Sequence, residues 1–304
     1  MSDAEVTSNP SLRDPRSGAK QSTSPQIASA TLGALPRNDC LIQEGDLVLL
    51  WFEDEVTYLI EVARGKRASI HRGRPLEVES WIGREFGSRI DCGHAPAFLL
   101  RPTPEDLMMK TSRESGIIYP KDAGYILLKA GIVPGSKIME VGTGSGALTT
   151  VLAQMVRPAG KVFTYDRRED FMKLAEKNLR RARLTDFVSL HKREPMEPFT
   201  EKNFDAAILD IPTPWEEINV VREALKGGGS IVTLNPTYNQ IEQSAEAMRE
   251  AGFIRVEACE ILLRHLLARK GKTRPVQRMV SHTEFMVFGT KVEKQEHVEK
   301  DSPD

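Results

Sequence analysis

The chain contains no run of eighteen apolar residues, and its first residues are polar, without the apolar segment of a secretory signal. Neither a membrane-spanning helix nor an exported protein is expected. Only three cysteines occur in 304 residues, Cys40, Cys92 and Cys259, and no two form a C-x-x-C pair. That spacing argues against zinc, so no metal site is expected. It points instead to a reducing, cytoplasmic setting in which all three thiols act as small buried hydrophobes. An excess of one charge is also lacking: 42 basic and 43 acidic residues leave a formal net charge of −1. No general attraction to a polyanion follows, so any nucleic-acid surface must come from local clustering. There are no internal repeats.

What is present is enough apolar material for a sizeable core, 40% hydrophobic residues against 28% charged. Residues 1–37 are rich in Ser, Thr, Pro and Ala without apolar periodicity, and read as a disordered tail. Residues 38–105 read as a small β domain, with strands at 47–52, 56–62, 68–71 and 97–101. From 106 to 291 a helix at 121–130 is followed by strand-like runs at 137–141, 161–165, 188–191, 206–209 and 230–234 that alternate with helical runs at 147–155, 168–183, 218–225 and 240–251, which predicts βαβ units on a parallel sheet. Two closing strand-like runs, 255–260 and 284–289, are joined by a long polar connection. They suit a seven-stranded α/β sheet with an antiparallel last strand better than a nicotinamide fold, which repeats its first half. Residues 292–304 read as a charged tail.

The most informative segment is Ile138-Met139-Glu140-Val141-Gly142-Thr143-Gly144-Ser145-Gly146, with Asp166 ending the next strand twenty positions beyond Gly146. In a parallel sheet both strand ends lie on one edge, where open α/β folds bind ligands. Glycines allow close backbone approach, and a carboxylate there can take both hydroxyls of a ribose. Gly142, Gly144 and Ala147 satisfy the dinucleotide fingerprint, so a nicotinamide enzyme or a bare structural turn stays open on this motif alone. Glu140 before the glycines and Gly146 as a third glycine tilt the reading to S-adenosylmethionine.

A second motif is Leu209-Asp210-Ile211-Pro212-Thr213-Pro214-Trp215. It sets a carboxylate at a strand end on a loop that two prolines stiffen. Asp210 is therefore a candidate beside the cofactor. The alternative is an Asp that caps the next helix, with Trp215 in the packing.

These motifs together resemble the tRNA adenine-N1 methyltransferases that act at position 58 of the T-loop, in particular the bacterial and archaeal single-gene type. The matching stretches are Ile117 to Asp122, Glu140 to Thr149, Arg168 to Phe171, Leu209 to Glu216, Asn235 to Thr237, and Arg274-Pro275 with Arg278 to Thr283, with Glu44-Gly45-Asp46 in the small β domain. The resemblance covers roughly 250 residues, most of the length of a two-domain chain. It implies a seven-stranded Rossmann-like fold, transfer of methyl from S-adenosylmethionine to adenine N1, tRNA as substrate and a homotetramer. Asp210 would be the catalytic carboxylate. The cofactor set would be Glu140, Gly142, Thr143, Gly144, Ser145, Gly146, Ala147, Leu148, Asp166, Arg167 and Asp210. Glu194 stands where the family carries an Asp beside the cofactor adenine. Other departures are Ser115-Gly116 in place of Thr-Gln, and Leu263-Arg264-His265-Leu266, where an aromatic often follows the Arg. Tyr119 or Trp215 could stack the extruded base, or be core.

Two stretches are basic and free of acids. Arg264, Arg269, Lys270, Lys272, Arg274 and Arg278 lie between Glu260 and Glu284, and Arg64, Lys66, Arg67, Arg72 and Arg74 lie between Glu61 and Glu77. Both fit phosphate contacts, or else solvated loops. The cations from Lys173 to Arg183 read as a solvated helix face. Rival readings are a methyltransferase acting on another RNA base or a small molecule, and a non-catalytic tRNA-binding subunit. The basic stretches weigh against a small-molecule substrate, and retention of the glycine loop with Asp210 weighs against the non-catalytic subunit.

Overall fold

Two sheets organise the chain. The computed structural model describes residues 40–70, 74–93, 95–113 and 116–293. The tail expected at 1–37 lies outside the described residues, as does 294–304 of the expected C-terminal tail.

The first sheet is antiparallel, in the order β2-β1-β6-β5. Its strands are β1 (Leu47–Phe52), β2 (Thr57–Glu61), β5 (Arg89–Asp91) and β6 (Pro96–Leu100). A separate two-stranded ladder joins β3 (Arg67–Ala68) to β4 (Leu76–Glu77). Val48, Leu50 and Phe52 recur every second residue and bury against Ile60, Ala97, Leu99 and Trp81.

Thr103 then starts α1 (Pro104–Met109) with a capping box. Its side chain accepts from the Asp106 amide, while the Asp106 carboxylate accepts from the Thr103 amide. The remaining elements are α2 (Pro120–Lys129), β7 (Lys137–Val141), α3 (Ala147–Val156), β8 (Lys161–Asp166), α4 (Glu169–Arg181), β9 (Val188–Lys192), β10 (Phe204–Leu209), α5 (Pro214–Ala224), β11 (Leu225–Asn235), α6 (Tyr238–Glu250), β12 (Phe253–Cys259), β13 (Leu266–Leu267), β14 (Arg274–Pro275) and β15 (Phe285–Lys291).

The second sheet is seven-stranded, in the order β12-β15-β11-β10-β7-β8-β9. Strands β7 to β11 run parallel, and β15 lies antiparallel between β11 and β12. Successive residues face opposite sides. Ile138, Ala206, Ile208, Val232 and Met286 pack with α2, α3 and α4; Met139, Ala207, Leu209, Ile231 and Val287 pack with α5 and α6. Strand order reverses at β7, with β8 on one side and β10 on the other. The crevice beyond the carboxyl ends of β7 and β10 is therefore the place where such sheets bind ligands.

Several expectations are corrected. The helix expected from Ile218 begins at Pro214, because proline suits the first helical turn, where no amide bond is lost. The polar connection 260–284 contains a short hairpin, β13 with β14. Cys92 alone is buried; Cys259 is half-buried and Cys40 is exposed. The cations from Lys173 to Arg183 do not form one solvated face. Lys173 and Arg180 pair with Glu169 and Glu176 on the surface, but Arg181 donates to the Leu59 carbonyl and Arg183 to the Glu44 carbonyl. These two arginines tie the small sheet to the large one. Nor is the described part of the 64–74 stretch acid-free in space: Arg64 pairs with Glu44 and Glu79, Lys66 with Glu61, and Arg67 with Glu77, while Arg72 lies outside the described residues.

Candidate active site

The glycine loop is built by backbone constraint. The Gly142 amide donates to the Tyr165 carbonyl at 2.8 Å, and Val141 accepts from the Asp210 amide at 2.8 Å. Gly142 has φ +100°, and a Cβ there would stand 2.0 Å from the Asp210 carbonyl oxygen. Only glycine lets these two loops touch. Gly146 has φ +78°, and a Cβ would stand 3.1 Å from that of Ala175, so the start of α3 packs directly on α4. At Gly144, by contrast, nothing lies within 4 Å of the Cβ position, so the turn opens on free space.

Buried polar groups hold this loop from behind. Thr149 donates to Glu140 at 2.6 Å, Thr143 and Thr164 share a 2.7 Å hydrogen bond, and Asn178 donates to the Ser145 carbonyl at 2.8 Å. Burial pushes the Glu140 carboxyl up to about 8. Its hydrogen bond from Thr149 ties the end of β7 to α3. Asp166 accepts from the Gly144 amide at 3.1 Å and from the Arg168 amide at 2.9 Å.

A cleft of about 320 Å³ opens in front of the loop, large enough for a small ligand. Its walls include Gly142, Tyr165, Asp166, Arg167, Arg193 and Asp210. Asp210 is exposed, and it is one of these wall residues. Desolvation at the cleft wall first, and then the Asp166 charge, raise its carboxyl from 3.8 to about 6. Asp210 does not cap α5, since Thr213 occupies the N-cap position.

One end of the cleft is closed by a group that the sequence did not reveal. Arg193 donates to Glu217 at 2.8 Å, both buried, and Glu217 also accepts from the Met196 amide at 2.7 Å. The Arg193 guanidinium lies 3.9 Å from the centre of the Phe199 ring. Nothing in the run His191-Lys192-Arg193-Glu194 distinguishes the buried cation from its exposed neighbours, so only the fold identifies it.

Two motifs distant in sequence also meet. Lys121 donates to both oxygens of Asp122 at 2.8 and 2.9 Å and to Thr283 at 2.6 Å, and Thr283 donates to Asp122 at 2.7 Å. His282 sets one ring nitrogen 2.8 Å from Glu260 and the other 3.1 Å from the Pro236 carbonyl. Both partners are acceptors, so the imidazolium satisfies both, and the pKa of His282 is raised, first through Glu260.

The structure brings some of the expected residues to the cleft and not others. Gly142, Asp166, Arg167 and Asp210 line it. Glu140, Thr143, Ser145, Gly146, Ala147 and Leu148 are buried behind it. Glu194 is exposed outside the lining, its amide donating to Glu197. Tyr119 is partly exposed at the start of α2, and Trp215 packs partly buried on the core. Arg264, Arg269, Lys270, Lys272 and Arg274 are exposed on and around the β13–β14 hairpin.

A seven-stranded sheet with one antiparallel strand, a glycine turn after β7 and an acid ending β8 define an S-adenosylmethionine-dependent methyltransferase. Solved structures agree. A S-adenosylmethionine-dependent O-methyltransferase from Thermotoga maritima superposes with a TM-score of 0.78 at 39% identity, covering 84% of this chain and 97% of that one. The tRNA (m1A58) methyltransferase TrmI from Aquifex aeolicus gives 0.71 at 32% identity, covering 84% and 100%. The family model for the tRNA methyltransferase complex GCD14 subunit matches residues 96–284, and the chain belongs to that family. Among relatives, the tRNA (adenine(58)-N(1))-methyltransferase catalytic subunit TRM61 of Candida albicans is 30% identical over 259 residues, covering 82% of this chain and 77% of the relative. The tRNA (adenine(57)-N(1)/adenine(58)-N(1))-methyltransferase TrmI of Methanocaldococcus jannaschii is 33% identical over 215 residues, covering 62% and 76%.

Proposed function

We propose that this protein methylates N1 of adenine in tRNA, at position 58 of the T-loop and with position 57 as a second acceptor. The observation that carries the reading is Asp210, whose amide is locked to Val141 and whose carboxyl faces the cleft beside the glycine turn. S-adenosylmethionine, when bound, supplies a methyl group already activated on a sulfonium. Asp166 and Arg167 would hold its ribose end, the Gly142–Gly146 turn its middle, and the Arg193–Glu217 pair would wall the adenine end.

The protein's remaining task is to place N1 in line with the methyl carbon. Asp210 accepts a hydrogen bond from the exocyclic amine, which raises electron density at N1, and it can take a proton from the product cation. Adenine N1 already carries a free lone pair, so no strong base is needed. A carboxylate near 6 suits this role better than removal of a proton from a hydroxyl, which favours N-methylation over the O-methylation ascribed to the Thermotoga relative.

The base must leave the folded tRNA to reach the cleft, with Tyr119 or Trp215 as stacking partners. Arg264, Arg269, Lys270, Lys272 and Arg274, exposed and without an ion-pair partner among the described residues, would meet phosphates. Leu262, Leu263, Leu266, Met279 and Val280 are exposed on and near the same hairpin, which supports assembly with further copies as a homotetramer. Such an enzyme would work in the cytoplasm, where tRNA is processed. The deciding experiment is methyl transfer to unmodified tRNA with mass-spectrometric mapping. Methyl on N1 of A58 is expected; methyl on an oxygen, or on another base, overturns the reading.

A further inference from the structure

The antiparallel insertion of β15 has a chemical consequence. Its register sets Phe285 opposite Asn235, while Leu209 lies opposite Thr233 on the neighbouring ladder. The start of β15 therefore lies at the same sheet edge as the end of β10, and Glu284 stands near Asp210 across the end of β11. The backbone on both sides of Glu284 is anchored. Thr283 is held by Lys121 and Asp122, and the Phe285 ring is covered by His282 at 4.4 Å and Tyr238 at 4.8 Å. One carboxyl oxygen of Glu284, Oε2, is buried without a hydrogen-bond partner among the described residues.

We propose that Glu284 is a second carboxyl of the methyl-acceptor site, a positioning residue that acts through Asp210 by adding a second negative charge when it ionises. This rests on the acceptor reading of Asp210 given above. Glu284 is half-buried and its Oε2 has no partner among the described residues, so its ionised form is costly and the group holds its proton until about pH 7. The groups that face it set the same direction. Asp210 from the β10 loop and Asp122 from α2 oppose its ionisation, and His282 favours it but is engaged with Glu260. Lys121 is taken up by Asp122. Burial first, then Asp210, lifts Glu284 to about 7, while Asp210 ionises near 6. Two neighbouring acids whose environments hold them apart make a base and a reserve acid.

The charge balance explains the use of a reserve. The lone pair of the ring nitrogen forms the new N–C bond, the C–S bond breaks, and its electron pair stays on sulfur. The positive charge thus passes to the base beside Asp210. That cation favours ionisation of Glu284, whose proton goes to solvent and returns when the product leaves. A second negative charge then stabilises the charged base as it forms.

The test is Glu284→Gln, with Glu284→Asp as the conservative rescue. The wild-type rate on tRNA should rise with pH through two ionisations, near 6 and near 7. Glu284→Gln should keep only the first and lose on the order of tenfold in turnover at pH 8, with S-adenosylmethionine affinity unchanged. Glu284→Asp should restore the second. A readout independent of activity is thermal melting of the ligand-free protein. The folded state of wild type holds the Glu284 proton, so stability should fall between about 4.5 and about 7, and Glu284→Gln should remove part of that fall. A variant that keeps both the rate profile and the melting profile of an active wild type overturns the role of Glu284. A wild type that transfers no methyl to tRNA overturns the functional reading itself.

Discussion

Replacing Asp210 by asparagine separates what this carboxyl does for the reaction from what it costs the fold. Burial and Asp166 raise it from 3.8 to about 6, so the folded protein holds a proton that the unfolded chain has already released. The native state then binds more protons between those values. Stability is full below about 4 and is lost as pH rises through about 6. At about 1.4 kcal/mol per pH unit the shift is worth roughly 3 kcal/mol. Because Asp210 is exposed, solvent screens that charge, and about 1 kcal/mol is the expected effect. Asp210→Asn should therefore be about 1 kcal/mol more stable than wild type at pH 8 and equal to it near pH 4. Turnover should fall about 10²-fold or more and lose its rise through pH 6, while affinity for S-adenosylmethionine holds. Urea unfolding at the two pH values, with initial rates across the same range, measures both effects. A variant that keeps turnover within a few-fold, or gains no stability at pH 8, refutes the assignment.

Three further outcomes are expected. Asp166→Ala should weaken S-adenosylmethionine binding by about 1.5–3 kcal/mol in calorimetry without creating affinity for NAD; the Gly144 amide loses its acceptor as well as the ribose. Neutralising Arg269, Lys270 and Lys272 together should lower the slope of log affinity for tRNA against log salt by about 2–3, at 0.7–0.9 per phosphate contact. An unchanged slope would assign the hairpin to a neighbouring subunit or to solvent. Arg193→Ala should destabilise the protein by about 3–5 kcal/mol in chemical denaturation, because Glu217 is left buried and unpaired. A loss below about 1 kcal/mol would mean that water replaces the guanidinium.

Much of the fold and part of the site could be read before any coordinates. Strand β7 was legible to the residue, because five apolar-rich positions end at glycines that no helix tolerates. Helix α3 and strand β8 were legible to within a residue for similar reasons. The cleft's glycine turn, Asp166 and Asp210 were legible because turn chemistry and strand ends are local signals. Other parts were not. The β13–β14 hairpin is only two residues per strand, with no alternation to see. Arg193 and Glu217 look like surface charges until their strand and helix bury them together. The acid-free run at 64–74 misled because Glu44, Glu61, Glu77 and Glu79 reach it through folding, not through adjacency.

The division has one physical cause. Backbone conformation depends on a residue and its near neighbours, so the order of elements, the glycine turn and the methyltransferase class follow from the chain alone. Protonation, pairing and exposure depend on everything that surrounds a group. Only the tertiary structure could bury Glu140 and lift its carboxyl to about 8. Only it could join Lys121 to Thr283 across 162 residues and Thr283 to Asp122 across 161, and bring the start of β15 to the sheet edge where β10 ends by running one strand backwards through the sheet.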